Sequence, residues 1–517
     1  MVSEILQACM KKGFLLDKEV LGYLEGFRSD EAENILNIIE ASGVPERVIS
    51  LKSFSKFSDK LVAFFEGKEL SPKLLEFLSK FKKNDNKNQK KERGKVKLLA
   101  APAFKQRKIT VEDFVQHFRS RFEVLRKALE LRNLENLTSL RKIGYSKGNY
   151  TIIVSVFDKR ITKSKNIIFE VEDLSGRATV LVNRNRKDVF EVARNVLLDD
   201  IIAINVSGNN EILFANEIFY PEARLDEKRR SEFDEYVAFV SDFHGGSTMF
   251  LEKNLLRFVK WLNGELGDSK QKEMAGKVRY LFIVGDNIDG INHYPGQEKY
   301  LVEKTSHGQY GVVSRILKLI RKDIKMVMCP GQHDSVWVGE PQPVISEKWA
   351  PSLYEIENLY LVPNPSVVEI DGGFKVLMYH GASINRFIDE ITDIRIKYGH
   401  TRPALVVKEF LKRRHLAPMH GMMDYVPCEK DSLVVEIIPD IIVTGDQHRV
   451  EVSTYNNILI VASSCWQSIT PFEEKVGNVP DPCKVPIFNL KTREIKILDF
   501  SDEAGAIGLE NGKTVSS

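Results

Sequence analysis

The spacing of apolar residues changes along the chain and separates regions of different structure. Over about residues 1–81, short stretches such as residues 59–65 and 72–81 carry apolar side chains at helical spacing, which predicts a small N-terminal helical bundle. Residues 82–96 are charged and almost without apolar side chains, so we expect a flexible basic linker there. The bundle carries no catalytic constellation, and we expect it to serve protein interaction or stability.

The next region predicts a helix followed by a β-barrel. Between Thr110 and Leu131, large apolar residues recur at helical spacing, which predicts a helix docked on the following domain. From about Ser139 the spacing becomes strand-like in five short runs, interrupted by one helical stretch near residues 189–196. This order is typical of an OB-fold β-barrel, which we expect to occupy residues 97–225 together with the helix.

The predicted barrel has two alternative roles. OB-folds often bind single-stranded nucleic acid through aromatic side chains on a basic face. The aromatic candidates here are Tyr150, Phe157 and Phe169, which are few and would fit the core of the barrel equally well. The alternative role is a docking platform between the C-terminal domain and a partner subunit.

In the C-terminal half, apolar β-type runs lead into short polar clusters. Five such clusters follow one another along the chain: Asp242-Phe243-His244, Gly285-Asp286-Asn287-Ile288-Asp289, Gly331-Gln332-His333-Asp334, His380-Gly381 and Gly445-Asp446-Gln447-His448. Open α/β sheets bind ligands at the carboxyl ends of their strands, so these distant side chains are expected to converge on one crevice. The pattern predicts an α/β domain over about residues 235–500, followed by a C-terminal tail over residues 501–517.

The residue types in these clusters are those of a two-metal centre. Two divalent ions about 3.5 to 4 Å apart share a bridging carboxylate, and Asp286 suits that position. Mixed imidazole and oxygen ligands favour manganese, iron or zinc over calcium. A single buried His is more often satisfied within a core than bound to metal. Five ordered clusters make the metal interpretation the stronger one.

The five clusters resemble the calcineurin-like metallophosphoesterase superfamily, whose pattern runs D-x-H, G-D-x-x-D, G-N-H-D/E, H and G-H-x-H. Further stretches resemble the small subunit of archaeal family D DNA polymerase: Asp289-Gly290, Tyr294-Pro295-Gly296-Gln297-Glu298, residues 412–418, Trp466-Gln467-Ser468 and Lys484-Val485-Pro486. The superfamily resemblance covers roughly residues 235–500 and implies a calcineurin-like α/β sandwich. The closer resemblance extends through the predicted barrel. The fold class expected is therefore multidomain α+β.

The resemblance assigns roles to individual residues. It implies that one ion is held by Asp242, His244, Asp286 and His448, and that Asp286 is shared with the second ion. It implies Gln332, His380 and Asp446 as the other ligands of the second ion. His333 would contact the phosphate and protonate the leaving oxygen, and Asp334 would orient His333.

Two positions depart from the superfamily pattern. Gln332 stands where Asn is usual, and Asp446 replaces the first His of G-H-x-H. Both departures fall on the second ion. Gln keeps a carbonyl ligand on a longer arm, while Asp exchanges a nitrogen for an anionic oxygen, which favours harder ions. We expect two divalent ions, with Mn²⁺ preferred and Mg²⁺ as the alternative. Loss of activity is the other interpretation of these departures.

Composition constrains the class of protein less than the clusters do. The 517 residues predict about three or four domains, and the five cysteines are odd in number and lack paired metal-ligand spacing. We expect reduced thiols, no membrane span and a cytoplasmic, nucleoid-associated protein. The net charge of +3 is too small to indicate nucleic acid by itself. Local basic clusters would either contact phosphates or form a solvated surface: residues 82–97, 105–108, 184–187 and 412–414.

Three functions follow as alternatives. The resemblance implies a small polymerase subunit that carries a metal-dependent 3′-to-5′ exonuclease for proofreading, with the large catalytic subunit and DNA as partners. The second alternative is a structural subunit whose site has weakened and which stabilises the large subunit. The third is a general phosphoesterase acting on small phosphate esters.

Overall fold

The computed structural model describes residues 94–104, 108–502 and 508–511, together with short stretches nearer the N-terminus at 15–16, 27–41, 48–49, 61, 64–65, 70–71 and 74. The chain divides into two compact units, residues 1–92 and 93–517. None of the helices in these described stretches is long and apolar enough to cross a bilayer.

Among its described residues, the N-terminal unit has one helix of several turns. Strands β1 (Leu15–Leu16) and β2 (Val48–Ile49) pair in parallel, and helix α1 (Ser29–Ala41) lies between them in sequence. The carboxylate of Glu31 is buried and accepts hydrogen bonds from the backbone and hydroxyl of Ser71. The predicted helical bundle over residues 1–81 and the linker over residues 82–96 lie mostly outside the described residues.

The second unit begins with strand β3 (Val96–Ala100) and helix α2 (Val111–Glu130). A closed barrel in the order β4-β5-β6-β8-β7 follows. Its elements are β4 (Gly148–Ile161), β5 (Ile167–Asp173), β6 (Gly176–Val182), α3 (Lys187–Arg194), β7 (Ile201–Gly208) and β8 (Leu213–Phe219). Five strands and one intervening helix are what the sequence predicts. The assignment to the OB-fold remains a prediction.

The aromatic candidates of the barrel have separate surroundings. Phe169 is fully buried in the barrel core, Phe157 is exposed beneath the guanidinium of Arg177, and Tyr150 is half-buried. Phe122, Leu125 and Leu129 of α2 pack against Ile153 of the barrel and its neighbours, as predicted for a docked helix.

The remaining strands form two sheets. They are β9 (Tyr236–Val240), β10 (Val278–Val284), β11 (Lys325–Cys329), β12 (Leu359–Leu361), β13 (Ser366–Ile370), β14 (Phe374–Met378), β15 (Ile441–Thr444), β16 (Glu451–Tyr455), β17 (Ile458–Ala462), β18 (Lys484–Asn489), β19 (Ile495–Asp499) and β20 (Gly508–Asn511). One sheet has the order β12-β11-β10-β9-β18-β19-β20, and the other has the order β16-β17-β15-β14-β13-β3. Strands β9 to β12 are parallel, as are β14, β15 and β17.

Helices cover the outer faces of both sheets. They are α4 (Glu252–Leu262), α5 (Ser269–Gly276), α6 (Ser306–Leu317), α7 (Pro351–Tyr354), α8 (Ile384–Glu390), α9 (Thr392–Lys397), α10 (Pro403–Arg413) and α11 (Pro471–Val476). Short 3-10 turns occur at Leu140–Lys142, Gln297–Tyr300, Asp371–Gly373 and Gly399–Thr401.

The two sheets pack face to face in a mixed α/β sandwich. Phe239 and Phe282 of one sheet share a core with Val376 and Val443 of the other. Strands β9 and β15 are buried at every residue, because each is covered on one face by the second sheet and on the other by helices. This explains why these strands read as continuous apolar runs rather than as alternating ones.

Two sequence-based boundaries are wrong. Strand β3 was expected with the barrel, but it pairs antiparallel with β13 at the edge of the second sheet. Strand β20 was expected in a separate tail, but it pairs antiparallel with β19. In both cases the pairing with a distant strand decides which sheet the strand joins. A short apolar stretch of sequence does not indicate which sheet edge that will be.

The basic cluster at residues 412–414 does not form a phosphate-binding surface. Arg413 and Arg414 are buried, and Arg413 donates to Asp200 of the barrel with an Nε–Oδ1 distance of 2.9 Å. The guanidinium of Arg414 donates to the carbonyls of Val435 and Glu436. Arg413 therefore joins the barrel to the sandwich, and Arg414 joins two segments of the sandwich domain, instead of both facing solvent. The basic clusters at 82–97 and 105–108 lie mostly outside the described residues.

Candidate metal centre

The five predicted clusters converge at the carboxyl ends of parallel strands. Asp242 follows β9, Asp286 follows β10, and the segment 331–334 follows β11 in the first sheet. His380 follows β14 and Asp446 follows β15 in the second sheet. The site therefore lies across the common edge of both sheets, as expected for ligands carried on strand ends.

The backbone is left-handed at most of these positions. The φ angles are +51° at Asp242, +50° at His244, +46° at Asp286, +67° at Asp446 and +52° at His448. Residues with a Cβ adopt this region at a cost of about 1 to 3 kcal/mol each. Contacts with the surrounding structure must offset this cost. At each of these positions the left-handed backbone turns the chain sharply at the strand end, so that the side chain faces the crevice.

His244 and His448 direct their Nε2 atoms at each other over a distance of 3.2 Å. The Nδ1 of His448 lies 2.9 Å from Oε1 of Glu473, so it carries the proton that it donates to that carboxylate. Burial lowers the pKa of His448, but Cys465, Asp242 and Glu473 outweigh burial and raise it well above its ordinary value, so an ion that binds at Nε2 must displace a proton there. Asp242 lies beside this pair, with Oδ1 at 3.6 Å from the same Nε2.

Asp286 occupies the middle of the site. Its carboxylate oxygens lie 3.3 Å from Nε2 of His380 and 4.0 Å from Nε2 of both His244 and His333. Burial alone would raise the pKa of Asp286, but the charges of His380, His333 and His244 outweigh it and hold that pKa well below its ordinary value. Asp286 is therefore an ionised carboxylate shared by both halves of the site.

Glycine allows this close approach at Gly331. A Cβ on Gly331 would lie 2.2 Å from Oδ1 of Asp286 and 2.7 Å from Nε2 of His380. No side chain fits there without displacing both groups. The glycine is thus required by the packing of the site rather than by the turn alone.

Three sets of side chains bring ligand atoms within 4.8 Å of one another: Asp242 with His244 and His448, His244 with Asp286 and His333, and Asp242 with Asp286 and His380. The buried polar atoms without a hydrogen-bond partner among the described residues include Oε1 of Gln332 and Nε2 of His380, the latter 3.3 Å from the carboxylate of Asp286. A buried acceptor left unpaired costs about 1 to 3 kcal/mol. Both atoms belong to the side chains that the sequence assigned to the second ion.

Asp446 contributes differently from the other predicted ligands. Its backbone N–H donates to the carboxylate of Asp242, with the nearer oxygen at 3.1 Å. Its own Oδ2 accepts from Asn385 at 3.1 Å and from Gln447 at 2.6 Å. Burial raises the pKa of Asp446; His380 opposes this, while Asp286 and Asp242 raise it further. Asp446 is at the site but is absent from the three sets above.

His333 is oriented by a group other than the one predicted. Its Nδ1 lies 2.7 Å from the carbonyl oxygen of Asp289, and its ring stacks on His293 at 4.3 Å between centroids. Asp334 instead accepts from the backbone of Gly331 and from both nitrogens of Asn287. The expectation that Asp334 orients His333 is wrong, because its carboxylate turns inward to tie two strand ends together.

The surroundings of Asp334 are unusual for a carboxylate. It also accepts from the hydroxyl of Tyr310 at 2.9 Å. Burial, reinforced by the charge of Asp286, raises the pKa of Asp334 to about 6. This side chain therefore supports the site without being exposed to it.

Two residues that hold the side chains of the site in place, Asp289 and Glu473, were not identified as site residues from the sequence. Asp289 accepts from Gln297 and Gln467 and holds His333 through its carbonyl. Glu473 holds His448 and also completes a capping box with Thr470 at the start of α11. Asp289 belongs to the predicted cluster at residues 285–289, so the sequence did mark its position. Glu473 had only the capping pattern Thr-x-x-Glu, which says nothing about His448.

The charges and donors of the site fit divalent cations. Three buried or half-buried carboxylates, Asp242, Asp286 and Asp446, meet here, and among the described residues neither Lys nor Arg forms an ion pair with any of them. Buried carboxylates need a compensating charge. Imidazole nitrogens and carboxylate oxygens that share this space, with the unpaired amide oxygen of Gln332 beside His333 in the chain, are a donor set for intermediate and hard divalent ions.

Comparison with known sequences identifies relatives of this chain. Residues 237–453 match the family of B subunits of DNA polymerases alpha and epsilon. The DNA polymerase II small subunit of Methanothermobacter thermautotrophicus is 36% identical over 394 residues, which cover 76% of this chain and 80% of that protein. The small subunit of Archaeoglobus fulgidus is 37% identical over 379 residues, covering 73% and 75% of the two chains.

One further relative matches over a longer stretch of sequence, and the solved structures are similar only at low sequence identity. The small subunit of Pyrococcus horikoshii is 34% identical over 466 residues, covering 89% of this chain and 73% of that protein. Among solved structures, an archaeal phosphodiesterase shares 11% identity at a TM-score of 0.25, covering 51% of this chain and 98% of its own. A structural similarity of that size decides nothing about activity. The sequence identities show that the chain belongs to the family of archaeal DNA polymerase II small subunits.

Proposed function

We propose that this chain is a metal-dependent 3′-to-5′ exonuclease that hydrolyses phosphodiester bonds at DNA ends and proofreads for its polymerase. The observation that carries the proposal is the pair of facing imidazoles, His244 and His448, beside the shared carboxylate of Asp286. Two unprotonated ring nitrogens at 3.2 Å repel each other unless a cation or proton lies between them.

The ligand sets proposed for the two ions keep the sequence-based assignment. One ion would be held by Asp242, His244, Asp286 and His448, and the other by Asp286, Gln332, His380 and Asp446. Support for the first set comes from the short distances among its members. Support for the second comes from the unpaired buried oxygen of Gln332 and from Nε2 of His380, which faces the carboxylate of Asp286 at 3.3 Å. We propose Mn²⁺ as the preferred ion and Mg²⁺ as the alternative, because these side chains offer carboxylate and amide oxygens beside imidazole nitrogens.

Divalent ions in such a site would lower the pKa of a bound water and neutralise the charge of a phosphodiester. His333 contributes the remaining function. Because its Nδ1 faces the carbonyl of Asp289, its Nε2 points toward Asp286 and the crevice. In the protonated form that nitrogen would donate its proton to the oxygen that leaves, which is general acid catalysis.

The substrate class follows from the family. A small subunit of a DNA polymerase is expected to act where the polymerase acts, and barrels of the predicted OB-fold type often bind nucleic acid. We propose DNA 3′ ends as the substrate and the large catalytic subunit as the partner, bound through the barrel and the sandwich. The alternative of a purely structural subunit is favoured only by the departures at Gln332 and Asp446. Glu473 positions the proposed ligand His448, and the carbonyl of Asp289 positions the proposed acid His333; these supporting contacts argue against a decayed site.

One experiment tests the proposal directly. The chain is purified alone and with its large subunit, and DNA with a labelled 5′ end is incubated with Mn²⁺, with Mg²⁺ or with a chelator. We expect progressive shortening from the 3′ end that requires a divalent ion. Internal cleavage, or shortening from the 5′ end of a substrate labelled at its 3′ end, would contradict the assigned polarity. Activity that survives the chelator would contradict the metal requirement.

A further inference from the structure

A cleft with two tryptophans begins at the segment that follows His333 and Asp334 of the metal centre. It has a volume of about 460 Å³ and is lined by Ser306, Ser335, Val336, Trp337, Pro343, Val344, Ser346 and Trp349. Ligand-binding clefts commonly fall in the range of about 300 to 1,000 Å³. Trp337 and Trp349 are 43% and 41% exposed, although Trp is usually well buried. Nothing in the proposed metal chemistry requires these two rings.

The cleft is connected to the catalytic residues through its backbone. Ser335 and Val336 follow His333 and Asp334 in sequence, and the N–H of Ser335 donates to the hydroxyl of Tyr310, which in turn donates to Asp334. The side-chain amide of Gln342 donates to the carbonyl of Gly331, against which Asp286 packs. The same amide also donates to the carbonyl of Trp337, so one hydrogen-bonding group joins the metal centre to the cleft.

The tryptophan rings are held in place. The Nε1 of Trp337 donates to the carbonyl of Pro341 at 2.8 Å, and its ring meets Phe104 edge to face at 5.2 Å between centroids. The ring of Trp349 lies beside His307 at 6.0 Å between centroids. The ammonium of Lys348 lies 5.1 Å from the ring centre of Trp349. A fixed and partly exposed ring loses little entropy when a second ring stacks on it.

The charge of the cleft suits a phosphodiester chain. None of its lining residues carries a carboxylate, three of them are serines, and Lys348 adds a positive charge at the rim. The metal centre itself is rich in carboxylates. The lining of the cleft therefore presents no like charge to a polyanion, although exposed Glu347 precedes Lys348 in the chain, and the serine hydroxyls can donate to phosphate oxygens.

We propose that this cleft binds the unpaired nucleotides next to the scissile bond by stacking bases on Trp337 and Trp349. A base can stack in this way only when it is free of its complementary strand. The cleft thus selects frayed or single-stranded 3′ ends over paired ones. The inference rests on the proposed exonuclease function and names the form of its substrate.

The test uses the full chain and two substrates. Thymidine oligonucleotides engage the cleft and the metal centre, whereas bis(p-nitrophenyl) phosphate engages the metal centre alone. Base–aromatic stacking contributes enough for each Trp→Ala substitution to raise the KM for the oligonucleotide about 5- to 150-fold. Trp337→Tyr and Trp349→Tyr should restore most of this loss. Hydrolysis of bis(p-nitrophenyl) phosphate should not change. Tyr398→Ala serves as the control, because Tyr398 is 40% exposed but lies outside the cleft.

A binding measurement keeps the inference separate from the exonuclease activity. The other two tryptophans, Trp261 and Trp466, are buried, so quenching of tryptophan fluorescence by an oligonucleotide reports on the cleft. With Ca²⁺ in place of Mn²⁺, we expect quenching of the wild type that is lost in the double Ala variant and weaker with a paired duplex. Quenching without hydrolysis under any metal would support the cleft while refuting the exonuclease.

Three results would overturn the inference. An unchanged oligonucleotide KM and unchanged quenching would show that bases do not stack there. An equal loss on bis(p-nitrophenyl) phosphate would show that the tryptophans only support the metal centre. A loss of binding to the large polymerase subunit, with normal oligonucleotide kinetics, would show that a protein surface covers the cleft.

Discussion

His448 is held by Glu473 on one side of its ring and faces His244 on the other. The Nδ1–Oε1 distance is 2.9 Å, and the Nε2–Nε2 distance to His244 is 3.2 Å. A carboxylate that accepts from one nitrogen fixes the tautomer and makes the other nitrogen a better metal ligand. The relationship between His448 and Glu473 therefore determines how well His448 can hold an ion.

Glu473→Gln should weaken metal binding without unfolding the protein. Gln still accepts from His448 and still satisfies the capping box with Thr470, but it lacks the negative charge. Loss of such a second-layer charge typically lowers metal affinity about 10- to 100-fold. Calorimetric titration with Mn²⁺ measures the change. Glu474→Gln alters the exposed neighbour and serves as the control. An affinity equal to that of the wild type would show that Glu473 only caps α11.

Metal affinity should rise with pH. Burial disfavours the charged form of His380, but Asp286 outweighs burial and raises the pKa of His380 well above its ordinary value. The metal-free protein therefore carries a proton on His380 at neutral pH, and an ion must displace it. Below the raised pKa, the apparent affinity should increase up to about tenfold per pH unit for each proton displaced.

The displaced proton can be measured. Titrations with Mn²⁺ in two buffers of different ionisation enthalpy give the number of protons released on binding. We expect release of at least about one proton near pH 7. A binding constant that does not vary with pH, together with no proton release, would exclude His380 as a ligand.

Asp286→Ala should abolish hydrolysis. The carboxylate of Asp286 is shared by both halves of the site, so its removal takes a ligand from each ion. Assembly with the large polymerase subunit should hardly change if the site is purely catalytic. The assay is hydrolysis of labelled single-stranded DNA, with co-purification as the control for folding. Residual activity above about a tenth of the wild type would mean that Asp286 is not the bridge.

The buried pair of Arg413 and Asp200 should stabilise the junction of barrel and sandwich. Both side chains are buried, and they meet at 2.9 Å. Removing one partner leaves an uncompensated buried charge, which costs about 3 to 5 kcal/mol. Arg413→Ala should therefore lower the free energy of unfolding by that amount in denaturant titrations. Arg160→Ala breaks an exposed pair with Glu170 and should cost at most about 1 kcal/mol. Similar losses in both variants would contradict the proposed role of the junction.

The sequence predicted the parts of the site that strand ends carry. A buried apolar strand followed by Asp, His or Gly is a local signal, and the structure brings Asp242, Asp286 and His380 together at the crevice, while their roles as metal ligands stay a prediction. Asp446 was also placed there, although its carboxylate oxygen accepts from Asn385 and Gln447. The orientation of His333 was not predictable, because its partner is a backbone carbonyl and carbonyls leave no mark in a sequence.

Long-range pairing explains the remaining differences. Strand β3 lies about 270 residues from its partner β13, and Asp200 lies 213 residues from Arg413. Each short segment would satisfy its own local pattern in several environments. The basic residues at 412–414 illustrate this, since a run of cations usually marks a solvated surface, whereas here two of the three are buried.

His333→Ala should separate chemistry from metal binding. The ring of His333 is fixed by the carbonyl of Asp289 and stacks on His293, so its Nε2 can approach a phosphodiester held in the crevice. Loss of a general acid lowers the cleavage rate by about 10² to 10⁴. Because His333 belongs to neither proposed ligand set, both ions should remain bound in elemental analysis. His293→Ala leaves the imidazole of His333 in place and provides the comparison. If His333→Ala loses an ion in proportion to its activity, His333 is a ligand, and if it keeps both ions and full activity, another group supplies the proton.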